Sequence, residues 1–234
     1  LPSSLRVVAL PKRGFLVPGF VDTHTHAPQY FFTGKGYDLQ LLDWLNTYTF
    51  PAEAKFSREA HAAAVCANAV RRTLQHGTTS CVYFCSLHTD AALALGRACA
   101  AQGQRALVGK VNMDRNAPEG LRDTPQSAHD DSAALIQRWH GVDRITYAIT
   151  PRFSPTSTPE QLTALGALWK EFPDCLMQTH LNEQIDEITW VKGLFPNARD
   201  YLDTYETFGL LGQRGLYGHA IHLESREKAR LKEV

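Results

Sequence analysis

The sequence has no net charge and no long apolar run, and each absence excludes a class of partner. Its 24 lysines and arginines balance its 24 aspartates and glutamates, so no field of one sign attracts nucleic acid or an anionic membrane. No apolar run approaches membrane-spanning length, and residues 1–10 lack the basic start and cleavage site of a signal peptide. We therefore expect a soluble, cytoplasmic protein whose partner is a small molecule, with neither nucleic acid nor membrane as a partner.

An even set of cysteines is also missing. Five cysteines lie in segments typical of helix or strand: Cys66, Cys81, Cys85, Cys99 and Cys175. This pattern favours reduced, buried thiols over a disulfide framework. The stretch CVYFC continues an apolar segment without a second cysteine pair, so it is a poor candidate for a metal site. It also differs from the Pro-Cys-x-x-Cys signature of the cytidine-type zinc deaminases, and that fold is therefore disfavoured.

What the sequence does contain is a regular alternation of strands and helices over 234 residues. Strands are predicted near 17–25, 78–84, 105–113, 144–150, 175–180 and 216–221. This spacing predicts βαβ units and a parallel sheet. A doubly wound sheet and a (β/α)8 barrel both satisfy the pattern. We favour the TIM-like barrel, because polar clusters follow several successive strands, where barrel enzymes carry their sites.

The ends of some elements can be predicted from capping residues. Ser57 is predicted to cap a helix that runs to about Gln75, and Thr158 to cap another that starts at Pro159. The long aromatic-rich connection 31–56 is either a lid over a site or a helix-containing insert packed on the barrel. The sequence leaves both interpretations open.

The candidate chemistry lies in the stretch Val17–Tyr30, where an apolar run leads into Asp22-Thr23-His24-Thr25-His26. Alternate side chains of a strand share a face, so His24 and His26 can converge on one divalent metal. A surface loop that happens to hold two histidines is the alternative. We favour the metal site, because the motif follows a strand predicted to be buried and further histidines come late in the chain.

These residues carry a resemblance to a known family. PGFVDTHTH resembles the first-strand signature of the amidohydrolase superfamily, metal-dependent hydrolases built on a (β/α)8 barrel. Five later segments resemble the guanine deaminases of that superfamily: 26–30, 47–53, 70–74, 150–154 and 179–183. The resemblance implies hydrolysis of guanine to xanthine and ammonia in purine catabolism, and a homodimer for the full-length enzyme. A related purine, triazine or cytosine deaminase is the near alternative.

The resemblance also implies roles for the polar residues. His24, His26 and His180 would hold one Zn²⁺, in preference to Fe²⁺. Glu183 would pass a proton between the water and the leaving amine, which requires a carboxylate within hydrogen-bond reach of both. A glutamate favoured only by the helix dipole is the alternative for Glu183. His219 would hydrogen-bond the attacking water.

Four residues are expected to contact the base: Gln29, Arg152, Phe153 and His180. An amide offers both a donor and an acceptor to a purine edge, a guanidinium donates to a ring carbonyl, and a phenyl ring covers a ring face. The other six histidines match no signature and are expected to be solvated or packing residues: His61, His76, His88, His129, His140 and His222.

The chain departs from the family's pattern in two respects. Neither half of the family's small β-sandwich is evident, and the aspartate of the eighth strand is absent, since the last aspartate is Asp203 and Glu224 comes too early. We therefore interpret residues 1–16 as a lead-in and residues 17–234 as a partial amidohydrolase barrel, truncated after about six βα units. A catalytically incomplete fragment or a non-catalytic binding protein of the same fold is the second hypothesis.

Overall fold

A computed structural model describes residues 8–234 of the chain. Residues 1–7, part of the predicted lead-in 1–16, lie outside the described residues. Residues 8–19 are exposed and hold a turn at Lys12 and Arg13, with no helix or strand among them. The described part of the lead-in therefore runs over the surface toward the first strand.

A parallel sheet forms the centre of the fold. Its strands are β1 (Phe20–His26), β2 (Thr78–Phe84), β3 (Arg105–Gly109), β4 (Val111–Asn112), β5 (Ile145–Pro151), β6 (Leu176–Leu181) and β7 (Gly215–His219). Six of them follow the order β1-β2-β3-β5-β6-β7, and the short β4 pairs with β5. All of these pairs are parallel.

The sheet curls into a nearly closed barrel. β1 and β7 lie at opposite ends of the strand order, yet the ring centroids of His24 and His219 are 4.8 Å apart. The predicted TIM-like architecture is therefore confirmed. The third predicted strand, 105–113, is divided at Lys110, whose buried ammonium donates to Asn112 Oδ1 and Asp123 Oδ2, both at 2.9 Å.

Helices follow most strands. They are α1 (Leu41–Trp44), α2 (Phe50–Ala54), α3 (Glu59–Gln75), α4 (Thr89–Gln102), α5 (Pro125–Trp139), α6 (Pro159–Glu171), α7 (Ile185–Leu194), α8 (Asp203–Glu206) and α9 (Ser225–Lys232). Thr158 caps α6 as predicted, because its hydroxyl accepts from the Gln161 N–H at 3.2 Å. The predicted cap at Ser57 is wrong: Ser57 ends a 3₁₀ turn and donates to Ala54 O, and α3 begins at Glu59.

The connection 31–56 is a helical insert. Between α1 and α2 it contains a π-helical turn, Leu45–Thr49. Leu45 and Phe50 pack with Phe153 of the barrel in a small apolar cluster. The insert therefore packs on the barrel, and several of its residues also line the cavity described below.

The cysteines lie in the interior of the fold. All five cysteines are buried free thiols, as predicted, and all five belong to the main apolar core. Across residues 8–234, every helix is too short or too polar to serve as a membrane span.

The prediction of a buried first strand is wrong for its first half. Phe20 and Val21 are 58% and 64% exposed. Among the described residues β1 pairs with β2 alone and β7 with β6 alone, so each leaves an outer edge unpaired. Three preceding apolar side chains are exposed as well: Phe15, Leu16 and Val17.

Candidate metal centre and active site

Three histidines meet at the carboxyl ends of β1 and β6. His24 and His26 alternate along β1 and share a face, and His180 comes from the end of β6. Their ligand nitrogens all lie within 4.8 Å of one another. The Nε2 atoms of His26 and His180 are 3.0 Å apart. This donor set fits a divalent metal bound by imidazoles. The sequence motif predicted His24 and His26 as ligands, and the family resemblance implied His180.

Burial keeps these histidines in the neutral form that a metal requires. It lowers the pKa of His24 to about 4, with further lowering from His219 and Arg152. Burial also holds the pKa values of His26 and His180 well below the ordinary value. His180 Nδ1 lies 2.7 Å from the Arg152 carbonyl oxygen, which accepts a hydrogen bond from the Nδ1–H group. Nε2 of His180 then has its lone pair free for a metal.

His219 and Glu183 stand beside the three histidines. The rings of His180 and His219 are stacked with centroids 5.4 Å apart. His219 Nε2 lies 3.4 Å from Glu183 Oε2. Burial raises the pKa of Glu183 to about 7, and the neighbouring Glu187 adds to this. A carboxyl group with this pKa can both accept and donate a proton near neutral pH.

The turns that carry these two side chains have unusual backbones. Asn182, directly before Glu183, has φ +49°, and His219 and Ala220 have φ +67° and +50°. Asn182 O accepts from the N–H groups of Ile221 and His222, both at 3.1 Å. The two strand ends are therefore tied together, and strain of this kind is common at functional sites.

Gly218 leaves space for the imidazole of His24 in the candidate metal centre. A Cβ atom at this position would lie 2.8 Å from Cε1 of His24. Any larger residue would displace the imidazole, so the close approach of β7 to His24 requires glycine.

One cavity of about 750 Å³ brings the predicted site residues together. Its walls include all eight of them: His24, His26, Gln29, Arg152, Phe153, His180, Glu183 and His219. Trp44 and Leu45 of the helical insert line it as well. His76, expected to have no part in a site, lies in its wall too, and the other five histidines do not.

Arg152 is held by a residue that sequence reasoning missed. Its Nη1 donates to Glu53 Oε1 at 2.7 Å, and the two side chains are 3% and 0% exposed. Burial raises the pKa of Glu53, and the Arg152 cation opposes this rise. Glu53 belongs to the segment 47–53 that carried part of the resemblance, but nothing in the chain indicates its partner 99 positions away.

The chain is similar to known proteins of one family. Residues 15–234 match the amidohydrolase family. Guanine deaminase from Escherichia coli (strain K12) is 44% identical over 235 residues, covering 100% of this chain and 53% of that protein. A solved structure of E. coli guanine deaminase has a TM-score of 0.90 at 45% identity, covering 92% of this chain and 50% of that one.

A second solved structure, guanine deaminase from C. acetobutylicum with bound guanine in the active site, has a TM-score of 0.90 at 36% identity. It covers 93% of this chain and 52% of that one. The chain spans about half the length of the curated relatives it matches. Because the family match extends from residue 15 to residue 234, this chain belongs to the amidohydrolase family.

Proposed function

We propose that the chain carries the active site of a guanine aminohydrolase, which converts guanine and water to xanthine and ammonia. The convergence of three histidines, Glu183 and Arg152 on one cavity carries this proposal. The similarity to guanine deaminases supports guanine as the substrate over other heterocycles.

We propose Zn²⁺ as the metal. Deaminases of this family are typically metal-dependent, and catalytic zinc sites use three protein ligands and leave one position open. His24, His26 and His180 would be these ligands. When bound, the metal lowers the pKa of a water molecule and so supplies the nucleophile. Fe²⁺ is the second choice, because imidazole also suits iron.

Glu183 is the proposed proton carrier. Its pKa of about 7 lets it take a proton from the attacking water and return it to the leaving amine. His219, with Nε2 at 3.4 Å from the Glu183 carboxylate, would hydrogen-bond the same water and fix its direction. Gln29, Arg152, Phe153 and His180 line the cavity and would hold the base.

Product formation tests this proposal. The chain, loaded with zinc, is expected to release xanthine and ammonia from guanine in equal amounts. Glu183→Gln should lower kcat by roughly 10²- to 10⁴-fold, the usual contribution of a general acid–base group. Glu171→Gln, at a side chain that is 56% exposed, is the matched control. A zinc-loaded parent that forms neither product would contradict the proposal.

Binding without turnover is the second candidate. The donor set favours this candidate, because the group of candidate metal ligands found within residues 8–234 has three histidines and no carboxylate. In that case equilibrium dialysis would detect guanine bound to the chain while neither product accumulates. The homodimer is part of the first proposal, and light scattering after size-exclusion chromatography tests it.

A further inference from the structure

Two residues of α2 contact Arg152 from the same side. Glu53 accepts from its Nη1 at 2.7 Å, and the Phe50 ring centroid lies 5.7 Å from its Cζ. Positions three apart on a helix share a face. Within residues 8–234, the hydrogen bond to Glu53 is the one that the guanidinium makes to another side chain. Its remaining donors are available to a ligand in the cavity that Arg152 lines.

Stability alone does not explain this ion pair. A buried pair can often be replaced by apolar residues without loss of stability, because the desolvation of two charges offsets their attraction. The position of Arg152 has a further importance, since its carbonyl oxygen orients the metal ligand His180 at 2.7 Å. The ion pair therefore holds Arg152 in place. The side chain of Arg152 faces the cavity, and its backbone carbonyl contacts His180, a proposed metal ligand.

We propose that Glu53 is a positioning residue that sets the direction of the Arg152 guanidinium toward a ring carbonyl of the bound base. Helix α2 of the helical insert thereby becomes a determinant of selectivity for purines that carry a carbonyl. This inference rests on the proposed function, because it assumes that the cavity binds a purine. The Arg152 fork needs a fixed orientation, since its N–H donors are planar and directional.

A matched pair of unreactive bases tests the inference. Hypoxanthine carries the ring carbonyl, unsubstituted purine lacks it, and neither has the amine that guanine loses. For the zinc-loaded chain, Glu53→Gln should weaken hypoxanthine binding by roughly tenfold or more, the loss expected for a misdirected hydrogen bond from a charged group. The affinity for purine should change by less than about twofold, because purine has no carbonyl for Arg152 to contact.

Two further variants control the comparison. Glu59→Gln removes a carboxylate that is 67% exposed and pairs with Arg97 at 3.7 Å, and both affinities should stay at parental values. If Glu53→Gln does not fold, Glu53→Asp keeps the buried charge but is one methylene shorter, so hypoxanthine affinity should again fall selectively.

The outcomes separate this inference from the proposed function. Equal losses for both bases, or no loss for either, would overturn the role of Glu53 while leaving a purine site in place. A parent chain that binds neither hypoxanthine, purine nor guanine would overturn the proposed function, and this inference with it.

Discussion

At the residue scale, the two ring nitrogens of His180 contact different groups. Its Nδ1 donates to a carbonyl and its Nε2 faces the β1 histidines. His180→Ala should reduce zinc affinity by at least roughly 100-fold, because even loss of an outer partner of a ligand costs 10- to 100-fold. Elemental analysis after dialysis against limiting zinc measures the effect.

His222 provides the matched control for that experiment. It lies three residues beyond His219 and is exposed, so His222→Ala should retain the parental zinc content. Equal zinc content in the His180 and His222 variants would contradict the assignment of the ligands.

The Arg152–Glu53 pair leads to a stability prediction. Arg152→Ala leaves the Glu53 carboxylate buried without its cation, which should lower the free energy of unfolding by about 3–5 kcal/mol. Replacing both partners, with Arg152→Met and Glu53→Leu together, should cost less than the single change. Denaturant unfolding of the parent and the two variants measures this, and a loss in the double variant as large as that in Arg152→Ala would contradict the prediction.

The sequence predicts residues of this site to different degrees. His24 and His26 are two positions apart on one strand, so strand periodicity alone places them on the same face. Arg152, His180 and Glu183 lie at or just after strand ends that meet in a barrel, but the resemblance to guanine deaminases was needed to choose them. Glu53 could not be chosen, because its role comes from the contact between the helical insert and Arg152, the residue that follows β5. The packing of such an insert has no local signal in the sequence.

At the element scale, α8 makes arginine–carboxylate contacts that depend on pH, and those with Arg226 and Arg230 join it to α9. Hydrogen bonds from Arg199 lower the pKa of Asp203, and those from Arg230 and Arg226 lower the pKa of Glu206. The carboxylates of Asp203 and Glu206 therefore bind protons less readily in the folded chain than in the unfolded chain. Their stabilisation is therefore fully present above about pH 5 and is lost as the pH falls through 4 and below.

Asp203→Asn should make the free energy of unfolding less dependent on pH in this acidic range. Asp174→Asn, at a side chain that is 85% exposed, should leave the dependence unchanged. Denaturant unfolding between about pH 3.5 and 7 measures both. Parallel curves for parent and Asp203→Asn would contradict the contribution of these contacts.

Some element boundaries follow from a local sequence signal, although the signal at Ser57 did not mark a helix start. α6 starts at Pro159 behind the capping Thr158, and β2 coincides with its predicted β-branched and aromatic run. The division of the third predicted strand at Lys110 could not be foreseen. At the break the Lys110 ammonium is buried against Asp123, 13 residues away, and tertiary contacts of this kind can override a local strand preference.

At the scale of the whole molecule, the unpaired edges of β1 and β7 favour association between copies of the chain. Exposed edge strands pair readily with other strands, and exposed apolar side chains at Phe20 and Val21 add to this tendency. We expect residues 1–234, expressed alone, to self-associate or aggregate as concentration rises. Size-exclusion chromatography over a concentration series measures the association.

Val21→Lys should raise the monomer fraction, because a lysine on an edge strand opposes pairing. Val8→Lys, at a position that is 68% exposed and outside the sheet, controls for added charge. A parent chain that remains monomeric with a cooperative melt would show that the unpaired edges are tolerated.

The three proposed metal ligands also constrain the order of events during folding. His26 and His180 are 154 positions apart in the chain, and closing so long a loop is a slow, entropically costly step. An early intermediate with β1 and β2 paired would hold two imidazoles but lack the third. Cobalt added to a refolding chain should therefore acquire the spectrum of a three-imidazole site only after β6 has docked, so metal capture marks a late step of folding.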